Sequence, residues 1–277
     1  MEKDLYCNRD FIPDFDELIA ETAARSAEFS RKADVRPDVP YGTGARERID
    51  LVFPPRLAKG APLHLFIHGG YWRAGTKEDH RLAAAPIIAE GGIAAIVEYD
   101  LMPGTRLGAI VSQVRAATRH LAAMAPELGA DPARLSVSGH SAGAHLASYL
   151  AATGPEENGR IELPVVRGML LISGIYDLSE IPGSFLKHEA KMTDAEAKAW
   201  SPLTSRHDEG PRRIVMVSEH DTPPFHTQGE ALVSLLQREG LGGELRVEPG
   251  LNHLTIVLEL ADTNSAVSGC VAELLAR

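Results

Sequence analysis

The sequence predicts an α/β fold in which a mostly parallel central sheet is covered by helices on both faces. Short β-branched and aliphatic runs alternate with longer runs whose apolar residues recur at helical spacing. The run at residues 93–97 is apolar throughout, as expected of a strand that is buried on both faces. No repeat, low-complexity tract or long linker interrupts the 277 residues, so we expect one domain over residues 1–277.

The predicted strands are short apolar or alternating runs that end at proline, glycine or polar residues. The alternating run at 49–53 is stopped by two prolines, and the run at 63–67 ends just before Gly69 and Gly70. The full set is 49–53, 63–67, 93–97, 135–138, 168–172, 214–217 and 244–248. Because such sheets bind ligands beyond the carboxyl ends of their strands, functional residues should follow these runs.

The predicted helices lie between the strands. Apolar residues recur at helical spacing over 107–128, and the helical run at 78–90 is stopped by Gly91 and Gly92. The other helices are predicted at 14–33, where the pattern is amphipathic, at 142–152, at 225–238 and at the C-terminus, ending near residue 275. Residues 180–210 carry little strand signal and are predicted to form a small cap segment over the active site.

Composition and charge exclude several classes of function. The net charge of −10 argues against a nucleic-acid partner, because phosphate binding needs clustered Lys and Arg. No secretory signal is visible, and no apolar run approaches the roughly 18 residues of a membrane span. Cys7 and Cys270 are expected to be free thiols, with a disulfide between them as the alternative. We therefore expect a cytoplasmic protein that acts on a small molecule, and the sequence leaves a homodimer open.

Residues 139–143, Gly-His-Ser-Ala-Gly, match the G-x-S-x-G pattern of a serine nucleophile. A predicted strand runs directly into the pattern and a predicted helix leaves it, which is the context that the pattern requires. Ser141 would then lie at a helix N-terminus, where backbone N–H groups favour developing negative charge. We predict Ser141 as the nucleophile; a serine that only caps the helix is the alternative.

A second loop, His-Gly-Gly-Tyr-Trp at 68–72, follows the predicted strand 63–67. The backbone N–H groups of Gly70 or Tyr71, with that of Ala142, are predicted to form the oxyanion hole. A substrate pocket is assigned to His68, Gly69, Trp72, Arg73 and His140. For Trp72 the alternative is a core position, and for Arg73, which would meet a substrate carboxylate, it is a solvated one. Lys77 is expected at the solvated surface.

Position selects the acid and the base from among many carboxylates and 11 histidines. Asp221 and His253 each lie just past a predicted strand, on the same edge of the sheet as Ser141. In α/β folds that carry the G-x-S-x-G nucleophile, the acid and then the histidine follow the serine along the chain. The histidine is the general base, and the acid orients it. The remaining candidates are Glu219 and Asp177 for the acid, while His220 and His226 are expected in surface loops.

Patterns for metals and cofactors are missing from the sequence. Neither H-E-x-x-H nor paired C-x-x-C occurs, and there is no Walker or dinucleotide fingerprint. His64 is expected to be a core histidine. We therefore predict no metal and no cofactor.

Five segments taken together resemble one known family. They are 38–42 with 48–51, the loop 68–72, the segment 139–146, the segment 219–228 and Asn-His at 252–253. They look like the α/β-hydrolase type of kynurenine formamidase (arylformamidase), and the resemblance spans nearly the whole chain from about Asp38. It implies the α/β-hydrolase fold and a triad of Ser141, Asp221 and His253. It also implies hydrolysis of N-formyl-L-kynurenine to formate and kynurenine, a step of tryptophan catabolism.

The sequence departs from this family near the predicted site. Ser218 stands where Gly is common before the acid, Arg73 stands where a neutral polar residue is common, and residues 180–210 lack family features. Because loops around a site choose its substrate, a carboxylesterase or another small-amide hydrolase is the alternative. A catalytically silent binding protein is a third alternative, although the sequence retains every triad and oxyanion element.

Overall fold

A computed structural model describes residues 3–159 and 161–276, and a sheet of eight strands forms its centre. The strands are β1 (Asp34–Pro40), β2 (Arg48–Phe53), β3 (Ala61–Ile67), β4 (Ile93–Val97), β5 (Ala130–His140), β7 (Val166–Ile172), β9 (Arg212–Ser218) and β10 (Glu244–Glu248). Two short strands, β6 (Ala152–Thr153) and β8 (Arg206–His207), form a separate antiparallel ribbon. The order across the large sheet is β1-β2-β4-β3-β5-β7-β9-β10.

Most neighbours in this sheet run parallel, which confirms the predicted fold class. From β4 through β3, β5, β7 and β9 to β10 every pairing is parallel, and only β1 and β2 are antiparallel to their neighbours. Each of the seven predicted strands is present. β3 and β4 are buried along their whole length, as the unbroken apolar sequence of β4 indicates, and β3 buries His64 among its apolar residues.

β1 is not among the strands predicted from the sequence. This strand contains Pro37 and Pro40 and is largely exposed. Proline cannot donate to a ladder, but an edge strand tolerates it because one side of the strand faces solvent. β1 pairs with β2 alone, and its register shifts between Arg36 and Val39.

Among the described residues, eight α-helices surround the sheet in two layers. They are α1 (Phe15–Ser30), α2 (Ala85–Ala89), α3 (Leu107–Met124), α4 (Ala142–Ser148), α5 (Asp194–Ala199), α6 (Pro223–Arg238), α7 (Thr255–Leu258) and α8 (Ala266–Leu275). Helices α3, α4 and α6 share one apolar core with Leu65, whereas α1, α2, α7 and α8 share a second core with Phe66. Successive residues of β3 thus point to opposite helical layers, as the two-residue period of a strand requires.

Some predicted segments differ in detail. The predicted helix 78–90 begins as the 3-10 helix Glu78–Ala84 before α2, and α4 ends at Ser148 rather than at residue 152. The predicted cap, residues 180–210, consists of short 3-10 turns, α5 and β8.

Cys7 and Cys270 are free thiols. Among the described residues, no helix is both long and apolar enough to cross a membrane.

Candidate active site

Ser141 occupies a sharp turn between β5 and α4. Its backbone angles are φ 55° and ψ −120°, a costly conformation for a residue other than glycine. The turn is held by close packing that only glycine permits: a Cβ on Gly143 would lie 2.0 Å from the Ile67 carbonyl oxygen, and one on Gly139 would lie 2.3 Å from the Gly143 carbonyl oxygen. The end of β3 and the start of α4 therefore press against each other, and Ser141 projects from the turn between them.

A chain of hydrogen bonds links Ser141 to a histidine and a carboxylate. His253 Nε2 lies 3.0 Å from Ser141 Oγ, and His253 Nδ1 lies 2.6 Å from Asp221 Oδ1. Because a carboxylate only accepts, Nδ1 carries the proton of the neutral ring and Nε2 accepts from the Ser141 hydroxyl. All three side chains are buried, with exposed fractions of 2% for Ser141, 3% for His253 and 7% for Asp221.

Asp221 receives two further hydrogen bonds. The Ser173 hydroxyl donates to Oδ2 at 2.6 Å, and the Ser218 backbone N–H donates to the same oxygen at 2.8 Å. Burial alone would raise the pKa of Asp221, but His253 and these donors hold it below its ordinary value. The Ser218 hydroxyl donates to the Asn252 carbonyl at 3.0 Å and so joins the loop of the acid to the loop of the histidine.

The rival acids and histidines lie elsewhere. Glu219 accepts the Gly250 N–H at 2.6 Å, and Asp177 accepts the Ser179 N–H at 2.9 Å within its own turn. His220 is exposed and His226 half-buried. None of these four side chains joins the hydrogen-bonded chain within the described residues.

The loop at 68–72 lies beside Ser141 in an unusual conformation. Gly70, Tyr71 and Trp72 have φ values of 109°, 54° and 59°. The Gly70 carbonyl accepts the N–H groups of Arg73 and Ala74, and the Trp72 carbonyl accepts the Met102 N–H at 2.8 Å, which fixes this turn. Within the described chain, the N–H groups of Gly70, Tyr71 and Ala142 have no acceptor. Gly70 and Tyr71 also line a cavity in front of Ser141, so their N–H groups are available to a ligand oxygen, whereas Ala142 is fully buried at the start of α4.

The structure brings only some of the predicted pocket residues to this cavity in front of Ser141. Gly69, Arg73 and His140 line it, whereas His68 and Trp72 are fully buried and do not. The His68 ring lies against Glu98 and the Gly69 carbonyl, and Trp72 donates to His145 Nδ1 at 3.2 Å. Both therefore support the loop from behind, which is the core position considered for Trp72.

His140 supports the catalytic histidine from the neighbouring position. Its Nε2–H donates to the backbone carbonyl of His253 at 2.8 Å, and the two rings lie 4.8 Å apart. Burial, reinforced by the charge of His253, lowers the pKa of His140 well below its ordinary value, so the ring is neutral. His140 therefore holds the His253 loop without adding charge.

The expected surface position of Lys77 is wrong. Its ammonium is buried among three carboxylates, 2.9 Å from Asp38 and 3.2 Å from Asp50, with Glu78 also in contact. These carboxylates are close enough together to resemble a metal site, but Lys77 already pairs with all three, and Arg81 pairs with Asp50 and Glu78 as well. The positions of Asp38, Asp50 and Glu78 in the sequence do not indicate that their carboxylates meet around Lys77. His64, by contrast, lies in the core between Ser136 and Ser138 as expected.

The cavity in front of Ser141 has a volume of about 480 Å³. One wall is formed by residues of the stretch 3–12, here called the N-terminal segment, together with α1, and no sequence pattern predicted either of them at the site. The Tyr71 hydroxyl donates to the Tyr6 carbonyl at 2.8 Å, and the Thr222 hydroxyl donates to the Leu5 carbonyl at 2.5 Å. The N-terminal segment is thus fastened both to the 68–72 loop and to the start of α6.

Three comparisons place this geometry among known proteins. A family model described as alpha/beta hydrolase fold matches residues 64–257. A kynurenine formamidase from Salmo salar is 32% identical, with 81% of this chain and 76% of the relative aligned. Esterase LipQ of Mycobacterium tuberculosis is 28% identical, with 83% of this chain and 63% of the relative aligned. A solved structure from Silicibacter sp. is 27% identical with a TM-score of 0.82 over the full length of both chains. The chain therefore belongs to the α/β-hydrolase family and is a hydrolase related to the kynurenine formamidases.

Proposed function

We propose that this hydrolase cleaves an aryl formamide, N-formyl-L-kynurenine, through a formyl-enzyme on Ser141. The observation that carries the proposal is the hydrogen-bonded chain from Ser141 through His253 to Asp221 at the wall of a cavity. A serine hydroxyl is a weak nucleophile unless a positioned base takes its proton. His253 has both the contact and the orientation for that task.

The first half of the reaction forms the formyl-enzyme. His253 Nε2 takes the proton as Ser141 Oγ attacks the formyl carbon, and the carbonyl electrons move to the oxygen. The free N–H groups of Gly70, Tyr71 and Ala142 stabilise this oxyanion, and the loss of one such donor typically costs about 2.7–4 kcal/mol in the barrier. The C–N bond then breaks, and His253 returns the proton to the leaving aryl amine.

The second half releases formate. A water molecule gives a proton to His253 and attacks the formyl ester, and the ester bond breaks as Ser141 Oγ regains its proton. Asp221 stabilises the imidazolium in both halves. Because its pKa is held below the ordinary value, it stays ionised at neutral pH.

The substrate class rests on the cavity and on the relatives. A volume of about 480 Å³ is suited to a small monocyclic substrate. Tyr71 and Phe185, whose rings meet edge to face at 5.1 Å, and Phe15 supply aromatic walls. The kynurenine formamidase relatives act, by their names, on a formamide of this kind, and such a reaction would place the chain in tryptophan catabolism.

A carboxylesterase is the second candidate, because esterase LipQ is also a relative and an ester would form the same kind of acyl-enzyme. The two are separated by measuring formate release from N-formyl-L-kynurenine and p-nitrophenol release from short-chain p-nitrophenyl esters. We expect a higher kcat/KM for the formamide, with both activities lost in Ser141→Ala. Ester turnover without formamide turnover would exclude the formamidase proposal.

A further inference from the structure

The 68–72 loop must lie at a fixed distance from Ser141, the residue directly before α4. Its backbone N–H groups are useful only if they lie within about 2.7–3.1 Å of the oxyanion that forms on the carbon attacked by Ser141. Among the described residues, one side-chain hydrogen bond joins the loop to α4. The Trp72 indole Nε1–H donates to His145 Nδ1 at 3.2 Å.

His145 is fully buried, and both of its ring nitrogens are hydrogen-bonded. Its Nε2 lies 2.8 Å from the backbone carbonyl of Trp200, in the cap segment. Because a carbonyl only accepts and an indole N–H only donates, the ring carries its proton on Nε2 and keeps the lone pair of Nδ1 for Trp72. Burial lowers the pKa of His145 to about 4, so this lone pair is retained at neutral pH. The Trp200 carbonyl thus selects the tautomer that can hold Trp72.

Trp72 passes this contact on to the backbone of the loop. Its indole is fully buried and meets the His145 ring edge to face, with the ring centroids 5.1 Å apart. Tyr71 and Trp72 have φ values of 54° and 59°, a conformation that costs free energy in residues other than glycine and persists only where surrounding contacts hold it. A shift of the Trp72 indole would therefore also turn the neighbouring Tyr71 backbone N–H.

We propose that His145 is a positioning residue that, through Trp72, holds the oxyanion donor of Tyr71 at its working distance from Ser141. His145 does not line the cavity, so it acts through Trp72 and not on the substrate. The inference rests on the acyl-enzyme chemistry of the proposed function, but not on the identity of the substrate.

Two substitutions of His145 separate its two hydrogen bonds. The side-chain oxygen of Asn occupies about the position of Nδ1 and can accept from Trp72, whereas the terminal amide of Gln occupies about that of Nε2 and can donate to Trp200. A whole oxyanion donor contributes roughly 10²–10³-fold to kcat, and a displaced donor loses part of this. His145→Gln should therefore lower kcat for N-formyl-L-kynurenine about tenfold at unchanged KM, and His145→Asn should keep kcat within about threefold.

Trp72→Phe removes the donor of the same hydrogen bond. Because this bond is already lost in His145→Gln, adding Trp72→Phe to that variant should lower kcat about tenfold less than Trp72→Phe does in the wild type. Tyr149→Phe is the matched control, since the Tyr149 hydroxyl also joins the end of α4 to the cap segment, but through Ser205 Oγ at 2.9 Å and not through the loop. It should lose stability in urea unfolding and keep kcat within about twofold.

Wild-type kcat in His145→Gln, equal losses in His145→Gln and His145→Asn, or additive losses in the double variant would overturn the assignment. If the wild type does not hydrolyse N-formyl-L-kynurenine, the proposed function fails, and the rate of Ser141 labelling by a fluorophosphonate decides the assignment alone. The phosphonyl oxygen uses the same donors, so labelling should be about tenfold slower in His145→Gln and close to the wild-type rate in His145→Asn. Equal labelling rates in the wild type and both variants would refute the positioning role.

Discussion

Removal of the Ser173 hydroxyl should weaken both the fold and the reaction. This hydroxyl is buried and donates to Asp221 Oδ2 at 2.6 Å, and it is one of the contacts that hold the pKa of Asp221 low. A hydrogen bond to a charged group contributes about 1.5–3 kcal/mol, so Ser173→Ala should lower the free energy of unfolding by that amount. Because Asp221 is left less firmly held, kcat/KM should fall about tenfold or more at neutral pH.

The experiment measures urea unfolding and kcat/KM for the same preparations. Ser173 has a φ of 46°, so Ser173→Gly is added as a variant that also lacks the hydroxyl but adopts this backbone conformation without strain. Ser136→Ala is the control, because Ser136 bonds His64 in the core and not the acid. It should lose stability and keep kcat/KM within about twofold. Wild-type kcat/KM in both Ser173 variants would refute the role assigned to this hydroxyl.

Three further predictions follow from buried contacts. Gly143→Ala forces a methyl group against the end of β3 and should cost about 3 kcal/mol or more of stability, measured by urea unfolding. Burial lowers the pKa of His64 to about 3 and of His145 to about 4, from 6.5. The unfolded chain therefore binds more protons as the pH falls below 6.5, and the free energy of unfolding should drop by about 1 kcal/mol per pH unit for each of these histidines. His140→Phe removes the bond to the His253 carbonyl and should lower kcat/KM about tenfold while the fold is retained.

The prediction for Gly143→Ala has a control within the chain. A Cβ on Gly269 of α8 would meet nothing within 4 Å, so Gly269→Ala should stabilise the protein by about 0.5–1 kcal/mol. A stable Gly143→Ala variant would contradict the close packing at the nucleophile turn. A free energy of unfolding that does not change between pH 7 and about pH 5 would contradict the burial of neutral His64 and His145. Full activity in His140→Phe would contradict the support of the His253 loop by His140.

The parallel core and the nucleophile turn are predictable from sequence because their signals are local. A fully apolar run marks β4, and the glycines at 139 and 143 mark a close approach of backbones that the structure contains. Asp221 and His253 could be selected because each closely follows such a strand. Their catalytic roles, like the single domain, the cytoplasmic location and the homodimer, stay predictions.

Features that depend on distant contacts could not be predicted. Ser173 is one serine among many, and only the folded sheet brings it to Asp221, 48 positions later. The N-terminal segment closes the cavity through bonds to Tyr71 and Thr222, which no sequence pattern indicates. Lysine is usually found at the surface, but three carboxylates from different segments surround Lys77.

The most direct test of the account is covalent labelling of Ser141 by a fluorophosphonate, followed by mass spectrometry of the labelled peptide. If His253 activates this hydroxyl, the wild type should be labelled rapidly at Ser141 alone, His253→Ala should react slower by about 10³-fold or more, and Ser141→Ala should not react. Equal labelling of the wild type and His253→Ala, or labelling at another residue, would contradict the central claim that Ser141, His253 and Asp221 form the catalytic triad.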